Sequence, residues 1–272
     1  MKQYLVSPKK NFKLKKYDPS DTGDYEANED GEKKAEQHTR QILSKLDELQ
    51  ERLYASRKQS LLIVLQGMDT AGKDGTVKHV MDGVNPTGCV VHSFKVPTEE
   101  ELAHDYLWRV HQKVPAKGFI GIFNRSHYED VLVTRVHGLV SDKEAARRFR
   151  EINDFEDLLV RNGTVILKFF LHISKEEQRQ RLEARARNPQ KRWKFSLNDV
   201  KERRFWSHYH QVYQEAIAAT SAREAPWYVV PANHKWYRNY VVGKIIIETL
   251  EGMKLKFPPA APGVNFDKIK VP

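Results

Sequence analysis

The sequence has one cysteine, Cys89, in 272 residues. That excludes a disulfide framework and a cysteine-based zinc site, and it fits a reducing cytoplasm. Long apolar runs are missing too. The longest, Leu61–Leu65 and Val165–Leu171, are far too short to span a bilayer. The amino-terminal stretch MKQYLVSPKKNFKLKK lacks the apolar centre of a secretory signal. No membrane partner is therefore expected. Internal repeats and low-complexity tracts are absent, which argues against a solenoid or propeller. Eleven histidines are scattered, and no pair stands at metal-ligand spacing beside a carboxylate. What is present suits a globular chain: 40% hydrophobic and 30% charged residues can bury a sizeable core. Lys and Arg number 46 against 36 Asp and Glu, a net charge of +10. Such an excess attracts nucleic acid, anionic membrane or a phosphate-rich substrate, or it is a solvated basic surface. Where the cations cluster decides between these.

Residues 1–34 are polar and weakly periodic and read as an extended arm. Residues 35–56 place Ile42, Leu43, Leu46, Leu49 and Leu53 on one face of an amphipathic helix. Residues 61–66, LLIVLQ, form an unbroken apolar run of strand length. Runs at Val90–Phe94, Phe119–Phe123, Val165–Ile173 and Trp227–Pro231 predict further buried strands. Helix-length segments lie between them, at Glu99–Gln112, Asp142–Arg161 and Asn198–Ala219, and a last helix at Trp236–Met253. Alternating strands and helices predict a three-layer α/β/α fold around a mostly parallel sheet. No linker divides residues 35–255, so they read as one domain carrying an inserted lid at about 179–205. Residues 256–272 are Pro-rich and read as an extended tail.

The first strand runs into Gly67-Met-Asp-Thr-Ala-Gly72-Lys73-Asp74-Gly75-Thr76. This is the P-loop spacing, G-x-x-x-x-G-K. Glycines let the backbone turn its N–H groups around a phosphate, and the following helix N-terminus adds positive potential. Lys73 supplies a mobile point charge, while Gly67, Ala71, Gly72, Asp74, Gly75 and Thr76 complete the phosphate-binding loop. Two departures stand out. Asp74 occupies the place where a hydroxyl would ligate magnesium. Asp69 lies inside the loop, where a carboxylate repels phosphate unless a cation lies between or it takes a proton, so Asp69 is a candidate for magnesium binding or for activating the acceptor phosphate. A ligand-free glycine turn would need none of this.

The third predicted strand ends in Asn124-Arg125-Ser126-His127-Tyr128-Glu129-Asp130. Ligands in open α/β sheets bind at strand carboxyl ends, so this cluster faces the P-loop if the strands are neighbours. Arg125 can clamp a phosphate through two hydrogen bonds. Glu129 and Asp130 are candidate metal ligands, or the acidic first turn of a helix. Arg135 is a further phosphate-binding candidate. In residues 179–194, seven basic residues stand against one acidic. Arg181 and Arg185 share a helix face, Asn188-Pro189 ends the helix, and Lys194 follows. Ser196 or Asn198 caps the next helix. An Arg-studded helical hairpin can close over a site and neutralise a transferring phosphoryl group, though a solvated basic face is the plainer alternative. Asp199 is either a further site carboxylate or a helix-start residue. Trp206, Tyr209 and Tyr213 have helical spacing and suit a core or subunit contact. Asn233–Arg238 can hold a nucleotide or merely pack a loop on a helix.

Together these pieces resemble polyphosphate kinase family 2. The matching residues are Gly67-x-Asp69-x-Ala71-Gly72-Lys73-Asp74-Gly75-Thr76, then Phe123-Asn124-Arg125-Ser126-x-Tyr128-Glu129-Asp130, and the lid run from Pro189 to Trp193-Lys194. The resemblance covers about residues 35–255. It implies a thymidylate-kinase-like P-loop fold with a lid. It also implies phosphoryl transfer between inorganic polyphosphate and a nucleotide, with Mg2+ or Mn2+. Lys73, the loop amides, Arg125 and the lid arginines Arg181 and Arg185 would hold phosphates, and Asp69 would organise the metal. Asn124 with Glu129 resembles the subgroup that takes AMP as well as ADP. Adenine nucleotides are the expected acceptors, with guanine nucleotides next, in a cytoplasmic homo-oligomer. The residues agree: phosphoryl transfer asks mainly for positioning and charge neutralisation, so direct in-line transfer without a phospho-enzyme is expected. An ATP-using nucleoside monophosphate kinase shares the loop and lid but normally keeps Ser or Thr after the lysine. A nucleic-acid-binding P-loop ATPase would need a recognition module, and none is found.

Overall fold

Five strands, β1 (Ser60–Gly67), β2 (Cys89–Ser93), β3 (Ile120–Asn124), β4 (Thr164–His172) and β5 (Trp227–Pro231), form one parallel sheet in the order β2-β3-β1-β4-β5. The computed structural model describes residues 1–8 and 11–260, together with Pro262 and Ile269. β1 is buried at every position, as an apolar run covered on both faces must be. β2 differs from the expectation of a buried strand. It is an edge, and Val90 and Val91 stay 38% and 46% exposed.

Among the described residues the helices are α1 (Glu29–Leu43), α2 (Leu46–Ser56), α3 (Lys73–Val80), α4 (Glu99–Leu102), α5 (Trp108–His111), α6 (Val133–Val136), α7 (Asp142–Arg161), α8 (Lys175–Arg187), α9 (Leu197–Glu202), α10 (Trp206–Thr220) and α11 (Lys235–Gly252). One face of the sheet carries α2, α3 and α11, with α1 laid on α11; α6, α7 and α10 pack on the other. This is the three-layer P-loop kinase architecture, with α8 and α9 forming the Arg-rich hairpin between β4 and β5. None of the described helices is long and apolar enough to cross a membrane.

Local chemistry sets the boundaries. The Asn28 side chain accepts the Gly31 N–H at 2.9 Å and starts the first helix at Glu29, earlier than the apolar stripe indicates. The single helix expected over 35–56 breaks at Ser44–Lys45, where the Ser44 hydroxyl donates to the Gln41 carbonyl. The expected helix 99–112 is two single turns. Between them the Asp105 carboxylate accepts the Leu107 N–H at 3.0 Å, offering the backbone an alternative to the helical ladder. The segment 198–219 is interrupted by a 3₁₀ turn at Arg203–Phe205, and Ser196 is the cap of α9.

The amino-terminal arm is not merely extended. Tyr4, Val6 and Leu14 are buried in the core, and the Val6 N–H donates to the Trp227 carbonyl at 2.8 Å. The arm thereby covers the outer edge of β5, an edge that would otherwise offer free backbone groups. Trp206, Tyr209 and Tyr213 are buried within this chain, so they serve the core. Of the expected tail, residues 256–260 have no regular structure, and nearly all the rest lies outside the described residues.

Candidate active site

The topology brings the two motif segments together. β1 lies between β3 and β4, with Leu65 opposite Asn124 and Phe169. The loop after β1 and the segment after β3 therefore sit side by side at the sheet's carboxyl end, as an open α/β sheet requires of a binding crevice. Between them and the hairpin opens a cleft of about 810 Å3. It is lined by Asp69, Gly72, Lys73, Asp74, Gly75, Arg125, Arg185 and Lys194, all expected from the sequence, together with Lys95, Lys191, Lys235 and Arg238.

The loop is built to receive an anion. Among the described residues, no acceptor pairs with the N–H groups of Gly72, Lys73, Asp74 or Gly75. They belong to the open first turn of α3. Gly72 sits at φ +101°, and a Cβ there would collide with the Arg238 guanidinium, so only glycine fits. The Lys73 Nζ donates to the Gly67 carbonyl at 2.8 Å; burial pushes its pKa down while Asp69 holds it up. An ammonium with one backbone bond keeps two donors for phosphate oxygens. Asp74 accepts from the Asn124 amide at 2.7 Å and faces Lys194 of the hairpin at 3.5 Å. These two partners, Asn124 first, hold its pKa below the usual carboxylate range.

Arg125 reaches Asp69 at 3.4 Å from a left-handed backbone, φ +62°. Its own N–H is tied to the Leu65 carbonyl at the end of β1. Glu129 lies partly buried behind this pair. Burial raises its pKa, against the pull of Arg125 and Lys73. Asp199, in the first turn of α9, also enters the cleft, paired with Arg185 at 3.5 Å. Burial and then the charge of Asp69 push its pKa up. Carboxylates that repel one another across a cleft suit a hard divalent cation with oxygen ligands. No cluster of three or more metal-ligating side chains exists among the described residues. The donor set thus fits an ion held by one or two carboxylates plus substrate phosphates, as magnesium commonly is.

Four expected site residues are placed otherwise. Arg135 is buried outside the cleft, bonded to Asp142 at 2.6 Å and to Glu215 at 2.7 Å, so it is a structural clamp. The Asp130 side chain turns the other way from Glu129 and faces Arg109 at 3.8 Å, which removes it from the metal candidates. The buried Thr76 hydroxyl donates to the Gly72 carbonyl inside α3 and is not offered to a phosphate. Ala71 spends its N–H on the Met68 carbonyl and its own carbonyl on two arginines. Arg181 lines the cleft as expected, but its guanidinium is spent on Glu177 and on main-chain carbonyls. It pairs with Glu177 at 2.6 Å and donates to the carbonyls of Thr70, Ala71, Ala232 and Asn233. Arg238 is 2% exposed and donates to the Ala71 carbonyl. Within Asn233–Arg238, the Asn233 carbonyl and the Arg238 guanidinium help to pack the loop, while Lys235 lines the cleft. No motif marks a residue that binds a backbone carbonyl, so sequence alone gives no signal for Arg238.

An anion pocket at the end of a parallel strand, opening a helix beneath an arginine-bearing hairpin, defines a phosphotransferase of the P-loop kinase class. The substrate-facing side is crowded with cations beyond what a single nucleotide needs. The chain belongs to the polyphosphate kinase 2 family, whose model, "Polyphosphate kinase 2 (PPK2)", matches residues 27–258. It is 55% identical over 95% of its length to an AMP/ADP-polyphosphate phosphotransferase of Meiothermus ruber, covering 96% of that protein. It is 41% identical to an ADP-polyphosphate phosphotransferase of Rhodopseudomonas palustris, over 93% of each chain. A solved structure of polyphosphate kinase 2 from Arthrobacter aurescens TC1 superposes with a TM-score of 0.91 at 42% identity, covering 96% of this chain and 92% of that one.

Proposed function

We propose that this chain transfers a phosphoryl group between inorganic polyphosphate and the terminal phosphate of AMP or ADP, so that one site serves both steps to ATP. The observation that carries the reading is the polarity of the cleft. Lys191 and Lys235 line it, and neither has a carboxylate partner within salt-bridge distance among the described residues. Asp69, Asp74 and Asp199 line it as well. A polyanionic donor suits the unpaired lysines, and a cation-bridged acceptor phosphate suits the carboxylates. The likeness to a relative named for both AMP and ADP supports the acceptor range, as do Asn124 and Glu129.

Magnesium is the cation of this reading, with Asp69 as its ligand and Glu129 behind, and when bound it neutralises charge on the transferring group. The chain's own residues do the rest. The amides at the start of α3 hold the phosphoryl oxygens, and Lys73 follows charge as it develops. Arg125 orients the acceptor phosphate, and Arg185 and Lys194 bring the hairpin's charge over the reacting centre and exclude water. Transfer is direct, and no covalent enzyme intermediate forms. We further assign a cytoplasmic homo-oligomer that takes adenine nucleotides, with guanine nucleotides as a further acceptor class. The test is a luciferase measurement of ATP from polyphosphate and magnesium with AMP or ADP in separate wells. ATP is expected in both, and in neither with Lys73→Ala or Asp69→Ala. ATP from ADP alone would remove AMP from the proposal; ATP in neither well would remove polyphosphate.

A further inference from the structure

The P-loop of this chain is held through its main-chain carbonyls by three side chains, two of which, Arg181 and Arg238, also line the cleft. Gln178 donates from Nε2 to the Asp69 carbonyl at 3.0 Å. Arg181 donates from one nitrogen to the carbonyls of Thr70 at 2.9 Å and Ala71 at 3.2 Å. Arg238 donates to the Ala71 carbonyl at 3.3 Å. Three consecutive carbonyls of the loop are thus drawn to the same side. Gln178 is itself fixed, since its Oε1 accepts from Arg203 at 2.8 Å. Gln178 and Arg238 are each 2% exposed.

Peptide geometry turns this into a statement about the cleft. All peptide bonds described are trans. In a trans peptide the C=O of one residue and the N–H of the next point in opposite directions. Drawing the Asp69 carbonyl back aims the Thr70 N–H forward, and drawing the Ala71 carbonyl back aims the Gly72 N–H forward. Thr70 and Gly72 both line the cleft, and neither N–H has an acceptor among the described residues. The intervening Ala71 N–H is already taken by the Met68 carbonyl. The loop also carries a backbone cost. Thr70, a β-branched residue, sits at φ +65°. Such a conformation persists only where the surroundings over-determine it, and the flanking carbonyl bonds do so here.

We propose that Gln178, Arg181 and Arg238 form a carbonyl brace that orients the Thr70 and Gly72 amides toward the donor phosphate. They are positioning residues for the transfer and not ligands of the polyphosphate. Two of them, Gln178 and Arg181, lie on α8, the ascending arm of the hairpin, and the third on α11. The brace therefore ties the anion pocket to the root of the lid. The Arg238 guanidinium is buried between the Ala71 carbonyl and the Asn239 side-chain oxygen; burial and the charge of Arg181 lower its pKa to about 9. The proposal takes polyphosphate as donor from the function given above.

Gln178→Met is the decisive variant, because it removes a brace bond without changing charge. The expected result is a fall of about a hundredfold in kcat/KM for polyphosphate, the lower end of the scale of losing an oriented oxyanion donor. The ADP KM should stay within about twofold, and the slope of polyphosphate KM against salt should be unchanged, since no phosphate-neutralising charge is lost. A folded Gln178→Met protein with wild-type polyphosphate kinetics overturns the brace. A second measurement needs no variant. In wild-type protein labelled with 15N-glycine, tripolyphosphate without nucleotide should move the Gly72 amide proton downfield. An unmoved Gly72 signal, with tripolyphosphate binding verified by calorimetry, also overturns it. Both outcomes differ from failure of the function itself, which would show as no ATP formation by the wild-type protein.

Discussion

Lys168→Met is the perturbation with the most consequences. Lys168 lies in the middle of β4, fully buried. Its ammonium is ion-paired to Glu156 of α7 and donates to the Thr220 carbonyl at 2.7 Å and the Tyr128 hydroxyl at 3.1 Å. Burial works against the charge of Glu156, and Lys168 with His127 more than offsets it, so its pKa lies below the usual range. Removing the ammonium strands that carboxylate in the core. A broken buried pair costs about 3–5 kcal/mol. The carboxylate has one escape, which is to take a proton. From an unfolded pKa near 4.3, holding that proton at pH 7 costs about 2.7 pH units at 1.36 kcal/mol each, roughly 4 kcal/mol, which caps this part of the penalty.

The cap gives the prediction a signature. In the variant the folded pKa of Glu156 is raised, so folding takes up a proton. The deficit against wild type grows as pH rises above the unfolded value. Urea unfolding followed by tryptophan fluorescence should show a loss of about 3–5 kcal/mol at pH 7 and a deficit smaller by up to about 2.7 kcal/mol at pH 5. Trp227, whose ring lies 5.5 Å from the Lys168 Nζ, is a local reporter. The double variant Lys168→Met/Glu156→Gln should recover about half of the loss, because a neutral amide still accepts from Tyr128. A loss below about 1 kcal/mol at pH 7, or a deficit independent of pH, refutes the reasoning. Activity should fall as well, because Tyr128 and His127 anchor the segment that presents Arg125 and Glu129.

Two further outcomes follow from the geometry. Glu129→Asn should lower AMP use more than ADP use, read as the ratio of kcat/KM values; an unchanged ratio removes Glu129 from acceptor selection. His172 is buried beside His210, their rings 5.5 Å apart, and burial, then His210, lowers its pKa to about 4. Unfolded histidine titrates near 6.5, so acid protonates the unfolded chain first and stability falls as pH drops below that value. His172→Asn should spare the protein about 2 kcal/mol of the loss between pH 7 and pH 5. Equal losses in variant and wild type would contradict the burial argument.

The sheet and the phosphate loop were legible because their signals are local. An apolar run and a glycine spacing need no knowledge of what lies opposite. Burial of the strands was less legible: Val90-Val91 is as apolar as Ile122-Phe123, yet only strand order tells that one is an edge and the other interior. Direction defeated the reading of charged residues. Glu129 and Asp130 are adjacent, and one step along the backbone turns one toward Lys73 and the other toward Arg109. Arg135 follows the same segment, but its partners Asp142 and Glu215 lie on two other helices. What the brace residues do was hidden for a different reason, even for Arg181, which was expected to hold phosphate. They bind main-chain carbonyls, which every residue possesses, so nothing in the composition of the loop indicates who holds it.

The Arg-rich hairpin leaves the sheet just after His172 and returns into α10 near His210, whose imidazoles stand side by side. Its departure and return points are thus held together by the core, whatever lies between. An insertion of this kind is a replaceable cassette. Hairpins of other lengths and charge patterns can be grafted between fixed ends without re-registering a strand. Donor chain length and acceptor choice then become separable engineering variables, provided that the graft keeps Gln178 and Arg181 at its base.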